Sequence, residues 1–325
     1  MSNAPDSEDQ LVRSDDLDAD IARFVADGFR LEMITPADSP RIAELSRGGE
    51  RIRLVIGDSV DADLRSAVVF DDEFVLTQGP RADVAGDLGR AGMQYRDLIP
   101  NRHGGHVIAS HIIIPGAGPV ADYVHHHDIN FQVIFVKSGQ VKVVYEDQGD
   151  PFWMGPGDCV LQPPHIRHRV LESADDCEVI EVASPAEHPT FVEHKITLPT
   201  AIVDAARDFG GQRFHFDEAS AVEWSQVGEG WTERVLGIGA ASGGAGAVRV
   251  LRTGDQRTGQ GGVPVRNDGT LCLLFVLEGE CMFDSDLGGG AHEVRAGDAL
   301  AIPNGATWTL RDDHSQCSVL QITMA

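Results

Sequence analysis

Two separate motifs in this 325-residue chain recur at one constant offset of 140 positions. Phe135-Val136-Lys137-Ser138-Gly139 resembles Phe275-Val276-Leu277-Glu278-Gly279. Gly157-Asp158 followed by Pro163 resembles Gly297-Asp298 followed by Pro303, with five residues between Gly and Pro in both. The two motifs stand eighteen residues apart in each half, Gly139 to Gly157 and Gly279 to Gly297. Agreement of that kind across two motifs is hard to obtain by chance, so the chain carries a duplicated unit.

The residues around the motifs make that unit a β structure. The first half offers HVIASHIII, FQVIFVKSGQVKVVYE, DCVLQPP and CEVIEVA; the second offers RVLGIG, AVRVLR, LCLLFVLEGECMF, DALAIP and CSVLQITM. Short apolar strands between Gly and Pro turns, with no helices between them, predict a sandwich or barrel. The expected organisation is an N-terminal extension over 1–90, a first β unit over 91–198 and a second over 199–325. Within the extension, residues 1–14 read as a disordered acidic tail. Residues 15–28 read as a helix with Leu17, Ile21, Phe24 and Val25 on one face, capped by Asp15 or Asp16 and ended by Gly28. Residues 29–90 read as short strands and turns. A second short helix is expected at TAIVDAARDFG, near the boundary between the two units.

Charge narrows the partners. Lys and Arg number 26 against 51 Asp and Glu, a net charge of −25, which repels phosphate backbones and anionic membrane surfaces. Nucleic acid and membrane are therefore not expected partners. No apolar run approaches the roughly 18 residues of a membrane-spanning helix. The first twenty residues have seven acids and one arginine, unlike a secretory signal, so a cytoplasmic protein is expected. Cys159, Cys177, Cys272, Cys281 and Cys317 are odd in number and form no CxxC, so they read as reduced thiols engaged in packing.

The chemistry concentrates in the first unit. In a strand, His125 and His127 point to one face and His126 to the other. Two imidazoles on one face suit a divalent metal. Gln132 follows after four residues and Gly139 after six more, and His168 lies beyond the Gly157–Pro163 turn. His125, His127, Gln132 and His168 are thus candidates to converge inside a barrel. A solvated polar strand is the competing reading of a lone HxH; the further residues weigh against it. Tyr123, His111 and Arg96 are weaker pocket candidates, and no catalytic or substrate-binding residue is singled out.

These residues resemble the two motifs of the cupin superfamily, G(x)5HxH(x)4E(x)6G and G(x)5PxG(x)2H. Gly118 is displaced by one residue, Gln132 stands at the glutamate position, and His165 stands at the glycine between Pro163 and His168. The resemblance implies two tandem double-stranded β-helix (jelly-roll) barrels. It also implies one divalent metal ion per chain on His125, His127, Gln132 and His168, with Fe(II) favoured and Mn, Ni, Co or Zn compatible. Gln132 could ligate through its carbonyl oxygen or orient a bound water from behind the metal. His165 is expected on a solvent-facing turn, and His126 outside the barrel. Three imidazoles and an amide leave the cation its full charge, favouring an anionic substrate. The expected function is a non-haem Fe(II) dioxygenase-type enzyme acting on a small anionic or phenolic compound. A metal-dependent isomerase or lyase, or a non-catalytic ligand-binding protein, stays open. By the same analogy the chain is expected to form a homodimer. At the offset positions Val265, Asn267, Cys272 and Trp308, the second barrel has no imidazole cluster and is expected to bind no metal.

Overall fold

Strand alternation gives each half of the chain an inner and an outer face. In the strand Phe131–Tyr145, Phe131, Val133 and Phe135 turn outward, while Gln132 and Ile134 turn into the first barrel. In Leu271–Glu278, Leu271, Leu273 and Phe275 turn outward, while Cys272, Leu274 and Val276 turn into the second. The two outward faces pack on each other and form a shared core, in which Ile180 and Val182 also meet Leu320 and Ile322. Each large apolar side chain buried there contributes about 1.5–3 kcal/mol relative to exposure. The computed structural model describes residues 10–57, 70–79, 87–254, 262–285, 290–311 and 316–325. It is mostly β, two tandem barrels of the jelly-roll type behind an N-terminal extension.

In the first barrel, Phe131–Tyr145 runs antiparallel to His168–Ser184, from Phe131↔Ser184 to Tyr145↔His168. Ile108–Ile114 pairs with the other edge of His168–Ser184. In the second barrel, Leu271–Glu278 pairs with Ser318–Met324, which pairs in turn with Gly246–Thr253. The turns repeat in detail. Val136 N donates to Asp158 O at 2.9 Å, and Val276 N to Asp298 O at 3.0 Å. Gly139 and Gly279 both have positive φ, +68° and +70°, and a Cβ at Gly139 would lie 2.7 Å from the Cys177 Cα. Both positions need glycine for backbone reasons.

The barrels exchange strands. Val75–Thr77, which precedes the first barrel in sequence, pairs with Ala299–Ala301 of the second. His215–Asp217, which precedes most of the second barrel, pairs with Cys159–Leu161 of the first. The two pairings are related by the offset of 140: Cys159↔Asp217 corresponds to Ala299↔Thr77. Each is locked by the turn aspartate of the barrel it joins. Asp158 Oδ1 accepts from Ala219 N at 2.7 Å, and Asp298 Oδ1 from Gly79 N at 2.6 Å. Strand pairing thus crosses both of the boundaries read from the sequence.

The N-terminal helix spans Leu17–Ala26, with Asp16 accepting from Ala19 N at 3.0 Å as its cap. Leu17, Ile21 and Phe24 pack on Ala43, Leu45 and Leu54, whereas Val25, expected on the same face, is exposed. The expected disordered tail is corrected in part: Gln10–Ser14 is a strand, parallel to Glu50–Ile56, with Val12 packed on the helix cluster. Its acidic neighbourhood hid that apolar contact. Residues 1–9 lie outside the described residues. The short helix expected over 200–210 does not form. The segment is a series of turns pinned by Arg207 to Glu146 and Asp147, and Ile202 and Val203 stay exposed with no face to bury. Arg30–Thr35 pairs with Thr190–Val192, which pairs with His125–His127, so the extension's sheet runs into the histidine strand.

Candidate metal centre

His125–His127 is a three-residue strand held on both edges. His125 pairs with His168 on one side, and the three residues pair with Thr190–Val192 on the other. That register, with strand alternation, brings His125, His127 and His168 to one interior point. Ring centroids lie 4.2 Å (His125–His168), 5.1 Å (His125–His127) and 5.2 Å (His127–His168) apart. One ring nitrogen from each lies within 4.8 Å of the others, and all three side chains are buried.

The tautomers are set from behind. His125 Nδ1 donates to Tyr123 O at 2.8 Å, and His168 Nδ1 to Ile166 O at 3.0 Å. A carbonyl only accepts, so Nδ1 carries the proton and Nε2 keeps a lone pair in both rings. His127 Nδ1 lies 3.0 Å from Thr190 Oγ1 and fits the same tautomer. Burial is the main force holding the imidazoles neutral. It pushes His125 and His127 well below the ordinary range, with the Arg90 charge and the adjacent His168 ring adding to it, and pushes His168 down to about 3. His125 Nε2 is buried with no hydrogen-bond partner. An orphaned lone pair beside two further imidazoles fits a cation and would be unfavourable without one.

Gln132 lies with His127 and His168 along a cavity of about 60 Å³, walled by Met93, Tyr95, Ile112, Ile114, Val143 and Met154. Its Nε2 donates to the Glu181 carboxylate, and its Oε1 is buried without a partner. The structure thus brings Gln132 to the site with its oxygen free.

Three participants carry no sequence motif. Glu181 is the one acid lining the cavity among the described residues, and burial raises its pKa. Its charge offsets part of the full +2 expected of the cation. Arg90 reaches the cavity from a turn in which Ala91 has positive φ (+57°), and it pairs with buried Asp122. Burial works against the guanidinium's charge, but Asp122 overrides it and the net shift is upward. Asp122 is fixed by Tyr123 N and Val170 N, both at 2.9 Å. His188 packs on His127 with centroids 5.3 Å apart and donates from Nδ1 to Pro185 O at 2.8 Å. The signal that could have found Glu181 is its pairing: it sits opposite Ile134, one step of the inner face from Gln132.

The remaining candidates lie elsewhere. His126 stacks on Phe191 outside the barrel at 5.3 Å, and His165 is exposed with φ +62° where its counterpart Gly305 has +76°. His111 and Arg96 lie between the barrels: His111 Nε2 meets Glu178 at 2.6 Å, and Arg96 donates to Gly297 O at 2.8 Å. Tyr123 contributes its carbonyl to His125. The cysteines are free and buried, and burial pushes the Cys177 and Cys272 thiols up to about 12, which disfavours the reactive thiolate.

In the second barrel the offset positions are taken up by packing. Val265 pairs with Trp308 across strands, and both lie in the apolar core with Cys272. Asn267 donates to Ile302 O at 2.7 Å and accepts from Gly269 N at 3.0 Å. Trp308 stacks on Phe283 and on Phe74 of the extension.

Residues 111–183, which include Gln132, Glu181 and His168, match the family profile of the cupin domain. The chain carries a cupin domain. No curated protein matches the sequence. Among solved structures, the chain is similar to the protein Ylba from E. coli, with TM-score 0.56, 11% identity, and coverage of 81% of this chain and 95% of that one. It is similar to a deletion mutant of oxalate decarboxylase from Bacillus subtilis, with TM-score 0.54, 13% identity, and coverage of 74% and 75%. It is also similar to a mutant of salicylate 1,2-dioxygenase from Pseudoaminobacter salicylatoxidans, with TM-score 0.51, 15% identity, and coverage of 68% and 70%. At such identities the likeness is one of fold. The cupin barrel's own residues supply the chemical argument.

Proposed function

We propose that this chain is a metal-dependent enzyme, a non-haem Fe(II) oxygenase acting on a compact anionic substrate. The observation that carries the reading is the convergence of His125, His127 and His168 at one buried point, with the unpartnered Gln132 Oε1 lining one cavity together with His127 and His168. Bound iron would supply a Lewis acid for the substrate and a reductant for O2.

This chain's residues do the rest. The three imidazoles and the Gln132 amide hold the cation and leave open positions for an octahedral ion. Arg90 pairs with Asp122, and its Nε has no hydrogen-bond partner, so its guanidinium is placed to receive a substrate carboxylate. The wall of Met93, Tyr95 and Ile112 gives the cavity an apolar side, and a less polar surrounding strengthens these charge interactions. A cavity of about 60 Å³ lies far below the roughly 300 Å³ of a pocket for a drug-sized ligand, and it favours a substrate of few heavy atoms over a large ring system.

The test begins with metal analysis of protein expressed without supplementation, followed by oxygen uptake on iron-loaded protein with a panel of small carboxylates. Stoichiometric metal and substrate-dependent uptake support the proposal. Turnover with no oxygen consumed moves the reading to a lyase or isomerase. Protein that takes up no metal overturns it.

A further inference from the structure

We infer that Glu181 is a positioning residue that fixes the orientation of the Gln132 amide, so that this chain replaces a direct carboxylate ligand with a carboxylate–amide pair. The inference rests on the metal reading above and adds a residue to it. An amide has two unlike ends, and only its oxygen can bind a cation. Nothing within Gln132 selects which end faces the histidines. Glu181 does: a carboxylate accepts hydrogen bonds, so the end facing it must be the NH2 group, and Oε1 is left as the free end.

The strands make the arrangement specific. Gln132 lies opposite Ala183, and Glu181 opposite Ile134, so the two side chains meet diagonally on the barrel's inner face. The small Ala183 leaves that space open. Among the described residues no other acidic side chain lines the cavity, so Glu181 is the one carboxylate there that holds the NH2 end. The hydrogen bond also polarises the amide and enriches Oε1 in electron density, as outer carboxylates do for ligating histidines. The negative charge stays in the site, one hydrogen bond away from the cation.

Exchanging the pair tests this. In Glu181→Gln the new amide can donate or accept, so either orientation of Gln132 is satisfied. In the double variant Gln132→Glu/Glu181→Gln a carboxylate faces the cation directly and an amide donor stands behind it. Co(II) binding is measured by titration, with the visible ligand-field bands as the spectroscopic signature and far-UV circular dichroism as the fold control. Glu181→Gln is expected to weaken Co(II) about 10–100-fold. The double variant is expected to recover most of that loss with shifted bands. Wild-type affinity in Glu181→Gln overturns the inference, and so does a double variant as weak as the single one. If Glu181→Gln does not fold, the double variant decides alone: strong Co(II) binding with shifted bands supports the pair, and weak binding overturns it. A wild-type protein that binds no Co(II) overturns the metal reading and this inference together, whereas binding by the wild type separates the two.

Discussion

Phe74 stacks on Trp308 with ring centroids 4.7 Å apart, so a residue of the N-terminal extension completes the interior of the second barrel. Trp308 is held on its other side by Phe283, at 4.4 Å. Phe74→Ala is expected to destabilise the chain by about 3 kcal/mol through the lost ring and the cavity left behind. The metal content of the first barrel should not change. Urea unfolding followed by tryptophan fluorescence checks the first expectation and metal analysis the second; unchanged stability would remove Phe74 from the barrel's core.

His127→Ala and His168→Ala are each expected to abolish stoichiometric metal while leaving a folded β protein. Both rings lie inside a barrel whose strands are held by other pairs, so the loss should be local. Metal analysis with circular dichroism measures both quantities. Full occupancy in either variant would contradict the assignment of that histidine.

One metal per chain is the expected stoichiometry. Val265 and Trp308 fill the second interior with apolar bulk, and the Asn267 amide is spent on Ile302 and Gly269. Anomalous scattering from a metal-soaked crystal should give one strong peak beside His125. A second peak near Asn267 would refute the reading of that barrel as structural.

Between the barrels, Glu178 accepts from His111 at 2.6 Å, Lys137 at 2.6 Å and Ser138 at 3.0 Å. The His111 bond, with Lys137, holds the Glu178 carboxyl down to about 2. Burial keeps His111 below its own ordinary value, so that ring donates as a neutral group, and Lys137 supplies the charge. A depressed carboxyl stabilises the fold above its unfolded pKa of about 4.3, and this contribution fades as pH falls towards 2. Glu178→Gln should therefore be less stable than the wild type at pH 7, and the gap should narrow from pH 4.5 downwards. Thermal melts across that range measure it; a gap that widens on acidification would reverse the sign of the argument.

The histidine positions were legible because strand parity and turn spacing are local rules. His125 and His127 share a face by alternation, and the Gly157–Pro163 turn returns the chain to His168. Glu181 was not legible. It lies in CEVIEVA, where Glu178 and Glu181 look alike, and only the register of Ile134 against Glu181 turns it inward. Arg90 depends on a backbone turn through Ala91 that no residue pattern announces. The strand exchange was hidden for another reason. Residues 75–79 read VLTQG and residues 215–219 read HFDEA, so the offset of 140 persists in geometry with no identity left in sequence.

That exchange has a consequence for how the molecule is made. A ribosome releases residues 75–77 long before their partner 299–301 exists, and the first barrel stays open at Cys159–Leu161 until 215–217 have emerged. Neither half can close on its own residues, since each withholds a strand that its neighbour needs. The duplicated halves are bound to a common fate: an isolated copy, however well its own motif is preserved, would expose a raw edge to the solvent.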